Sequence, residues 1–311
     1  MTNIAIRTFP MRNEDLRRDS SLRKLVETIS PLPVDLVIQG ETGCGKDTLA
    51  KTIHRLSKRK GSFIAVNCAA VPETLAESEL FGVSVGAYTG AHTSRAGYIE
   101  VANEGTLYLD EIDSMPLSLQ AKLLRVVETR SVERLGSTDS RQLDVRIIIS
   151  TKDPLEKLVK AGRFREDLHF RFSTVTINLL ALRLRREVII HMFSEFVSAA
   201  AKRLNVRRPI CSTEIYQKLL SHHWPGNIRE LKAAADRYVL GVCPLGHTIK
   251  PRVHGRSLRH NLHEIERLLI EESLHRNKGC IERTTSELDV PKRTLYHRMK
   301  QLGVTPRKVT G

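Results

Sequence analysis

A glycine-rich turn that ends in a lysine is the first group of residues with the types and spacing for chemistry. The turn follows the apolar run Val34–Gln39 and leads into residues 46–57, which have helical character. Glycines allow backbone N–H groups to converge on phosphate oxygens, and the start of a helix favours negative charge. We therefore predict a phosphate-binding loop in which Lys46 holds the β- and γ-phosphates of ATP. Its expected nucleotide contacts are Gly40, Glu41, Thr42, Gly43, Cys44, Gly45, Lys46, Asp47 and Thr48.

Two adjacent acids after a second apolar run complete this expected site. The run Thr106–Leu109 indicates a strand, and Asp110 and Glu111 follow at its end. A carboxylate in the place of Asp110 can hold Mg²⁺ through water, and Glu111 can act as the general base that polarises the attacking water. Either motif alone has an ordinary structural explanation, as a turn or as exposed acids. Their combination predicts magnesium-dependent ATP hydrolysis.

Between the two motifs lies a turn-prone hexapeptide of small residues with one aromatic ring. Nucleotide binding does not require a loop of this composition. An exposed ring contributes nothing to a core, and exposed apolar groups often mark interaction sites. We therefore expect a loop that ATP hydrolysis moves and whose ring docks on another macromolecule. The hexapeptide consists of Gly86, Ala87, Tyr88, Thr89, Gly90 and Ala91.

The elements that must position these groups alternate between strands and helices. Such alternation predicts an α/β fold with a mostly parallel sheet covered on both faces. From about residue 185 to 240 the pattern is purely helical. The expected strands are 34–39, 63–67, 106–110, 145–150 and 174–178, and the expected helices are 22–29, 46–57, 118–128, 187–204, 212–221 and 227–240.

The last part of the chain has the pattern of a helix-turn-helix. Residues 281–288 and 292–302 form two short predicted helices around a tight turn, and the second is basic. Leu295 and Met299 should face inward. A small helical packing module with a basic face is the alternative. The side chains left for DNA phosphates and base edges are Lys292, Arg293, Thr294, Tyr296, His297 and Lys300.

Composition sets the broad class. The 311 residues carry a formal net charge of +15, and residues 290–311 hold six Lys or Arg and no acid, which favours a polyanion such as double-stranded DNA over a merely basic surface. Five scattered cysteines without a C-x-x-C motif indicate reduced thiols. Without a long apolar run or a signal peptide, we expect a cytoplasmic protein with no membrane partner.

Taken in order, these motifs resemble the central ATPase of bacterial enhancer-binding proteins, the AAA+ activators of sigma-54 RNA polymerase. The resemblance spans about residues 20–245. It implies a P-loop ATPase with a helical lid, ATP and Mg²⁺ as cofactors, and the sigma-54 RNA polymerase holoenzyme as the partner of the hexapeptide. Other segments that carry it are Asn67–Ala70, Glu79–Gly82, Leu109–Ile112, Leu117–Arg125, Gly162–Leu168 and Trp224–Leu231.

The resemblance also assigns individual roles. Asn67 matches an asparagine that links Glu111 to the moving loops, and Arg229 matches the sensor arginine of the lid. Arg165 and Arg171 match arginines offered to the ATP of a neighbouring subunit, which implies a hexamer, either homomeric or mixed with a paralogue. The C-terminal unit resembles the Fis-type domain of the same activators, which implies binding to an upstream activating sequence.

Three positions depart from the family pattern. Lys152 stands where an asparagine usually follows the fourth strand, which puts the first sensor in question. The segment Leu180–Arg185 replaces the usual Pro-Pro-Leu-Arg-Glu-Arg, and Tyr88 replaces a phenylalanine. Asp47 fits the family, in which an acid follows the loop lysine.

The expected organisation is an N-terminal lead (1–20), an α/β ATPase subdomain (21–180), a helical lid (181–242), a linker (243–260) and a DNA-binding domain (261–311). About 33 residues precede the first strand, so we expect no receiver domain. Control is then expected from synthesis level, a partner activator or an inhibitor protein in trans. This layout resembles the Hrp-type activators of type III secretion genes. Two alternatives stay open: a DNA-binding AAA+ regulator that does not act through sigma-54, and an unfoldase or loader.

Overall fold

The computed structural model describes residues 20–88, 92–245, 258–277 and 279–304. Contacts divide the chain into two units, one of residues 1–188 with 224–230, the other of residues 189–223 with 231–311. The strands are β1 (Leu36–Gln39), β2 (Phe63–Asn67), β3 (Gly82–Val83), β4 (Arg95–Ala96), β5 (Thr106–Asp110), β6 (Ser131–Glu133), β7 (Ser140–Gln142), β8 (Arg146–Thr151) and β9 (Thr176–Asn178). The helices are α1 (Ser20–Ile29), α2 (Lys46–Ser57), α3 (Glu73–Phe81), α4 (Tyr98–Val101), α5 (Leu117–Thr129), α6 (Leu155–Lys160), α7 (Glu166–Phe172), α8 (Arg186–Leu204), α9 (Thr213–Ser221), α10 (Asn227–Val239), α11 (Leu258–Arg276), α12 (Ile281–Leu288) and α13 (Lys292–Leu302).

Five strands of the first unit form one sheet in the order β2-β5-β8-β1-β9, and every pair in it is parallel. The predicted parallel sheet is therefore confirmed. Parallel strands end at the same edge, so Gln39, Asn67, Asp110 and Thr151 lie along one rim. The phosphate loop, which follows β1, and the two acids, at the end of β5, are therefore both at this rim.

Apolar side chains of the central strands point alternately to the two faces of the sheet, so that each face has its own core. Leu107, Leu109 and Ile149 belong to the core on one face, while Leu36 and Ile148 belong to the core on the other. Successive side chains of a strand point to opposite faces, so one buried strand serves both cores. Full burial of each such side chain contributes about 1.5–3 kcal/mol.

A buried arginine determines where β1 begins. Arg146 of β8 is only 2 % exposed, and its guanidinium donates to the carbonyl oxygens of Val34 at 2.9 Å, Ser30 at 2.7 Å and Ile29 at 3.1 Å. Burial lowers its pKa to about 10. Asp35 accepts the backbone N–H of residue 147 at 2.8 Å. Because these side-chain bonds engage residues 34 and 35, the strand starts two residues later than predicted.

The second unit contains α9, α11, α12 and α13 and most of α8 and α10. Within it the rings of Phe193 and Tyr238 are 5.7 Å apart. α12 and α13 have the predicted bounds, and Leu295 and Met299 are buried as expected. α11 begins at Leu258, three residues before the expected start of the DNA-binding domain at residue 261, and residues 246–257 of the expected linker lie outside the described part. Among the described helices, none is long and apolar enough to cross a membrane.

Candidate nucleotide site and docking loop

The phosphate loop has the backbone that its glycines predict. Gly43 and Gly45 have φ values of +78° and +102°, which side chains other than glycine rarely adopt. A Cβ on Gly43 would also lie 2.3 Å from the carbonyl oxygen of Gly226. The Lys46 ammonium donates to the carbonyl oxygens of Gly40 at 2.7 Å and Glu41 at 3.2 Å. The loop is thus shaped and its cation oriented by contacts within the chain.

The two acids lie at the end of β5, separated from the phosphate loop by β8. Asp110 Oδ1 accepts hydrogen bonds from the Tyr108 hydroxyl at 2.9 Å and from the Ser150 hydroxyl. Burial raises the pKa of Tyr108, with a further contribution from Asp110, so the phenol keeps its donor proton. The Glu111 backbone N–H donates to Ser150 Oγ at 3.2 Å, and Glu111 has a left-handed φ of +54°. Ser150 therefore holds both acids in one arrangement.

A polar cluster joins the phosphate loop to the segments around residues 182 and 227. Arg183 pairs with Glu41 through two hydrogen bonds of 2.8 and 2.5 Å. The buried Asn227 donates to Glu41 at 3.2 Å and to the carbonyl of Thr42 at 3.0 Å, and it accepts the N–H of Leu182 at 2.7 Å. The hydrogen bond from Arg183 is the main cause that lowers the pKa of Glu41 to about 2.

Three further expected site residues surround this rim. Arg229 is exposed, and its Cβ lies 3.2 Å from where a Cβ on Gly43 would be. Lys152 is exposed directly after β8, and its charge contributes to the lowered pKa of Glu41. Asn67 lies opposite Asp110 in the β2–β5 register, but its Oδ1 accepts the N–H of residue 69 at 2.8 Å. Its link to Glu111 stays a prediction.

The two arginines expected to act in trans lie on or beside α7. Phe164, Leu168 and Phe172 anchor this helix in the core. Arg165 is exposed directly before the helix and forms an ion pair with Asp167 at 2.7 Å. Arg171 is exposed on the helix itself. Both side chains therefore face away from the core of their own unit.

The described part of the hexapeptide, Gly86–Tyr88, lies in the connection between the antiparallel strands β3 and β4. At its base the N–H of Val85 donates to Ser94 Oγ at 3.1 Å. Gly136, in the turn between β6 and β7, is so close that a Cβ there would lie 2.6 Å from the Cα of Ala87. Tyr88 is 55 % exposed, as expected for a docking ring. The rest of the hexapeptide, Thr89, Gly90 and Ala91, lies outside the described residues.

On α13 the candidate DNA contacts are all exposed, whereas Leu295 and Met299 are buried. Lys292 is already paired with Glu282 at 2.6 Å, and this hydrogen bond raises the pKa of Lys292. The exposed candidate contacts are Lys292, Arg293, Thr294, Tyr296, His297 and Lys300.

Sequence reasoning missed four contributors to the site. Ser150 is expected from the sequence only as the last residue of a strand, and Arg183 lies in a segment noted only as a departure from the family pattern. Asn227 and Gln120 lie in family motifs without an assigned role. Gln120 is fully buried and contacts the segment that carries Arg165. A polar residue inside a strongly apolar helical pattern is the one signal that could have drawn attention to Gln120.

Comparison with known proteins agrees with this geometry. Residues 14–178 match the sigma-54 interaction domain family, and residues 183–264 match the AAA+ ATPase lid domain. The pathogenicity-locus regulatory protein WtsA of Pantoea stewartii subsp. stewartii is 54% identical over 93% of this chain and 90% of its own length. The regulatory protein HrpS of Pseudomonas savastanoi pv. phaseolicola is 54% identical over 93% of this chain and 96% of its own.

Among solved structures, NtrX from Brucella abortus in complex with ADP aligns with a TM-score of 0.69 and 30% identity. The alignment covers 94% of this chain and 73% of NtrX. The nucleotide in that complex is consistent with the ATPase fold seen here. The matched family model, the identity to these regulators and the arrangement at the rim lead to one conclusion: the chain belongs to the AAA+ ATPases that activate transcription by sigma-54 RNA polymerase.

Proposed function

We propose that this protein binds upstream DNA, assembles as a ring and uses magnesium-dependent ATP hydrolysis to move Tyr88 against sigma-54 at pathogenicity promoters, including those of type III secretion genes. The exposed Tyr88, on a loop that leaves the same unit as the nucleotide site, is the observation that carries the proposal. WtsA and HrpS are described as pathogenicity-locus regulatory proteins, which supports pathogenicity genes as the targets.

In the nucleotide site each residue has a distinct task. Lys46 binds the β- and γ-phosphates, and Glu111 takes the proton of the attacking water. Ser150 keeps Glu111 in position through the backbone of that residue. Arg229, beside Gly43, is the sensor of the terminal phosphate in the same subunit.

The residues present fit a magnesium ion. Both described hydrogen bonds to Asp110 end on Oδ1, which leaves Oδ2 available to a metal-bound water. Within the described ranges no group of three or more acidic, histidine or cysteine side chains could hold a metal alone. This agrees with a cation shared between one carboxylate and the phosphates of a nucleotide. Magnesium would there neutralise the charge that develops on the terminal phosphate.

A ring accounts for the exposure of Arg165 and Arg171. Neither guanidinium is needed by the core of its own unit, since apolar side chains anchor α7. In a ring, we propose, both reach the ATP of the neighbouring subunit. Arginines acting in this way accelerate phosphoryl transfer by roughly 10³–10⁵-fold.

The second unit carries the proposed DNA reader. α12, the turn and α13 have the order of a helix-turn-helix, and α13 presents its basic side chains to solvent. Contacts from these side chains to phosphates fix register, while contacts to base edges select sequence.

The test is open-complex formation by purified protein on a promoter with its upstream site. With the sigma-54 holoenzyme and ATP, we expect open complexes. With a non-hydrolysable ATP analogue, or with a holoenzyme carrying another sigma factor, we expect none. Protein that hydrolyses ATP and binds the upstream site, yet opens no sigma-54 promoter, would contradict the proposal.

A further inference from the structure

A buried glutamine connects the acid motif to the segment that carries Arg165. Gln120, on α5, has no exposed surface. Its Nε2 donates to the carbonyl oxygens of Met115 at 2.8 Å and Arg163 at 3.0 Å. Its Oε1 accepts the backbone N–H of Arg165 at 3.0 Å. Both donor hydrogens and the acceptor of this amide are therefore used, and two of the three bonds go to the Arg165 segment.

The third bond leads back toward the catalytic acids. Short helical hydrogen bonds connect the carbonyl of Glu111 to the N–H of Ser114 at 2.9 Å, and that of Ile112 to the N–H of Met115 at 3.0 Å. The Met115 carbonyl then accepts from Gln120. The backbone that follows Glu111 is thus joined, through one side chain, to the backbone of Arg165.

A second contact runs parallel to the first. The guanidinium of Arg163 donates to the carbonyl of Asp113 at 3.3 Å and lies 3.7 Å from the Asp113 carboxylate. It too joins the segment after Glu111 to the segment before α7. Two contacts thus connect residues 112–115 to the segment that carries Arg165.

We propose that Gln120 is a positioning residue that aligns Arg165 for the ATP of the neighbouring subunit and couples that alignment to the state of Glu111 in its own subunit. The inference rests on the proposed trans role of Arg165. A fully bonded buried amide suits this task because its three bonds fix direction as well as distance. Apolar packing of Phe164, Leu168 and Phe172 anchors α7 in any case, so the amide determines orientation.

The test uses Gln120→Met, which preserves volume and removes all three hydrogen bonds. The matched control is Glu128→Met, the same new residue on an exposed position of the same helix. We expect Gln120→Met subunits to bind ATP with the parental Kd, because Lys46 and the phosphate loop are untouched. Turnover of the homomeric ring should fall at least about 100-fold, because misalignment forfeits a large part of the roughly 10³–10⁵-fold acceleration that such an arginine supplies. The control should keep parental turnover.

Mixed rings identify the location of the defect. Gln120→Met subunits keep a working ATP site but offer a misaligned arginine, whereas Lys46→Ala subunits offer a sound arginine and lack a working site. Their mixture should regain turnover. A mixture of Gln120→Met with Arg165→Ala should not, because both lack the same function. Recovery in the second mixture, or none in the first, would overturn the inference.

The mixture of Arg165→Ala with Lys46→Ala distinguishes this inference from the proposed function. If Arg165→Ala with Lys46→Ala regains turnover but Gln120→Met with Lys46→Ala does not, only the role of Gln120 is wrong. If Arg165→Ala with Lys46→Ala regains no turnover in rings shown to be mixed, both the trans role of Arg165 and the inference built on it are wrong.

Gln120→Glu provides a second variant in case the methionine variant does not fold. It keeps the acceptor for the Arg165 N–H but places a carboxylate against two carbonyl oxygens. Those oxygens favour the protonated acid, which can donate one of the lost bonds. We expect turnover relative to the parental protein to rise as pH falls from 8 to 6. A flat ratio with near-parental turnover would contradict the positioning role.

Discussion

Glu41 of the phosphate loop and Arg183 face each other across a two-bonded ion pair, with nitrogen–oxygen distances of 2.8 and 2.5 Å. The pair joins the loop that surrounds phosphates to the segment that leads into α8. Asn227 adds a third bond to the same carboxylate. Glu41 anchors the loop in this arrangement, and its expected contact with nucleotide stays a prediction.

This pair makes a pH-dependent contribution to stability. The pKa of Glu41 lies near 2, below the ordinary value of 4.5, so the carboxylate stabilises the fold above the unfolded-state pKa and loses that effect as pH falls toward 2. Because the pair is over one-third exposed, Glu41→Gln should cost only about 1 kcal/mol at neutral pH. This gap, the difference in the free energy of unfolding between the parental protein and Glu41→Gln, should be constant from pH 8 to about 5.5. It should shrink below about pH 4.5.

Urea denaturation of both proteins across this pH range measures the gap. Glu128→Gln, at an exposed position of α5, is the matched control and should show no gap at any pH. A gap between parental and Glu41→Gln protein that grows as the solution is acidified would rule out the ion pair as its cause.

The base assignment predicts a separation of binding from hydrolysis. Glu111→Gln should keep the parental affinity for ATP, since Lys46 and Asp110 remain, while turnover falls about 10²–10⁴-fold. Lys46→Ala should lose affinity itself. Equilibrium binding of a fluorescent ATP analogue and phosphate release check the two effects on the same preparations. Near-parental turnover by Glu111→Gln would show that another group accepts the proton.

The sequence pattern predicted the scaffold of this site better than its contacts. α2, β5 and α13 begin and end at the predicted residues, because apolar periodicity and turn residues are local properties. The bonds of Glu41 to Arg183 and Asn227 join residues 142 and 186 positions apart, and no local pattern marks such pairs.

Gln120 also shows that a local sequence pattern does not mark long-range contacts. Helical periodicity places Gln120 in line with Leu123 and Val127 on the apolar face of α5, but it does not indicate which groups bind the amide. Residues 163–165, which approach from another part of the chain, supply two of its three hydrogen-bond partners. Its function is therefore a property of tertiary packing.

Tyr88 offers a test of the docking loop. Burying its ring against sigma-54 is worth about 1.5–3 kcal/mol, or roughly 10- to 100-fold in affinity. Tyr88→Ala should abolish open-complex formation while ATP hydrolysis and DNA binding continue, and Tyr88→Phe should retain all three. Val85→Ala removes another exposed apolar side chain, outside the hexapeptide, and should remain active. Normal activation by Tyr88→Ala would show that the loop only connects two strands and does not dock on sigma-54.

The ion pair of Lys292 with Glu282 leads to a prediction about DNA affinity. Arg293→Ala should lower the slope of log affinity against log salt by about 0.9 if that residue neutralises one phosphate. Glu282→Gln should raise affinity instead, because it releases Lys292 and removes a negative charge. Titration of labelled upstream DNA at several salt concentrations measures both. Lys24→Ala, on the exposed side of α1, is the control, and an equal change there would contradict a reader on α13.

The hydrogen bonds of Arg146 have a consequence for comparisons of related sequences. All three of its acceptors are backbone carbonyl oxygens, at residues 29, 30 and 34. A carbonyl persists whatever side chain occupies the position, whereas a guanidinium is the side chain that supplies several donors in a fixed geometry. Residue 146 is thus constrained without any partner residue that must change with it. Covariation between columns of an alignment will consequently not detect the hydrogen bonds that connect the end of α1 to the centre of the sheet.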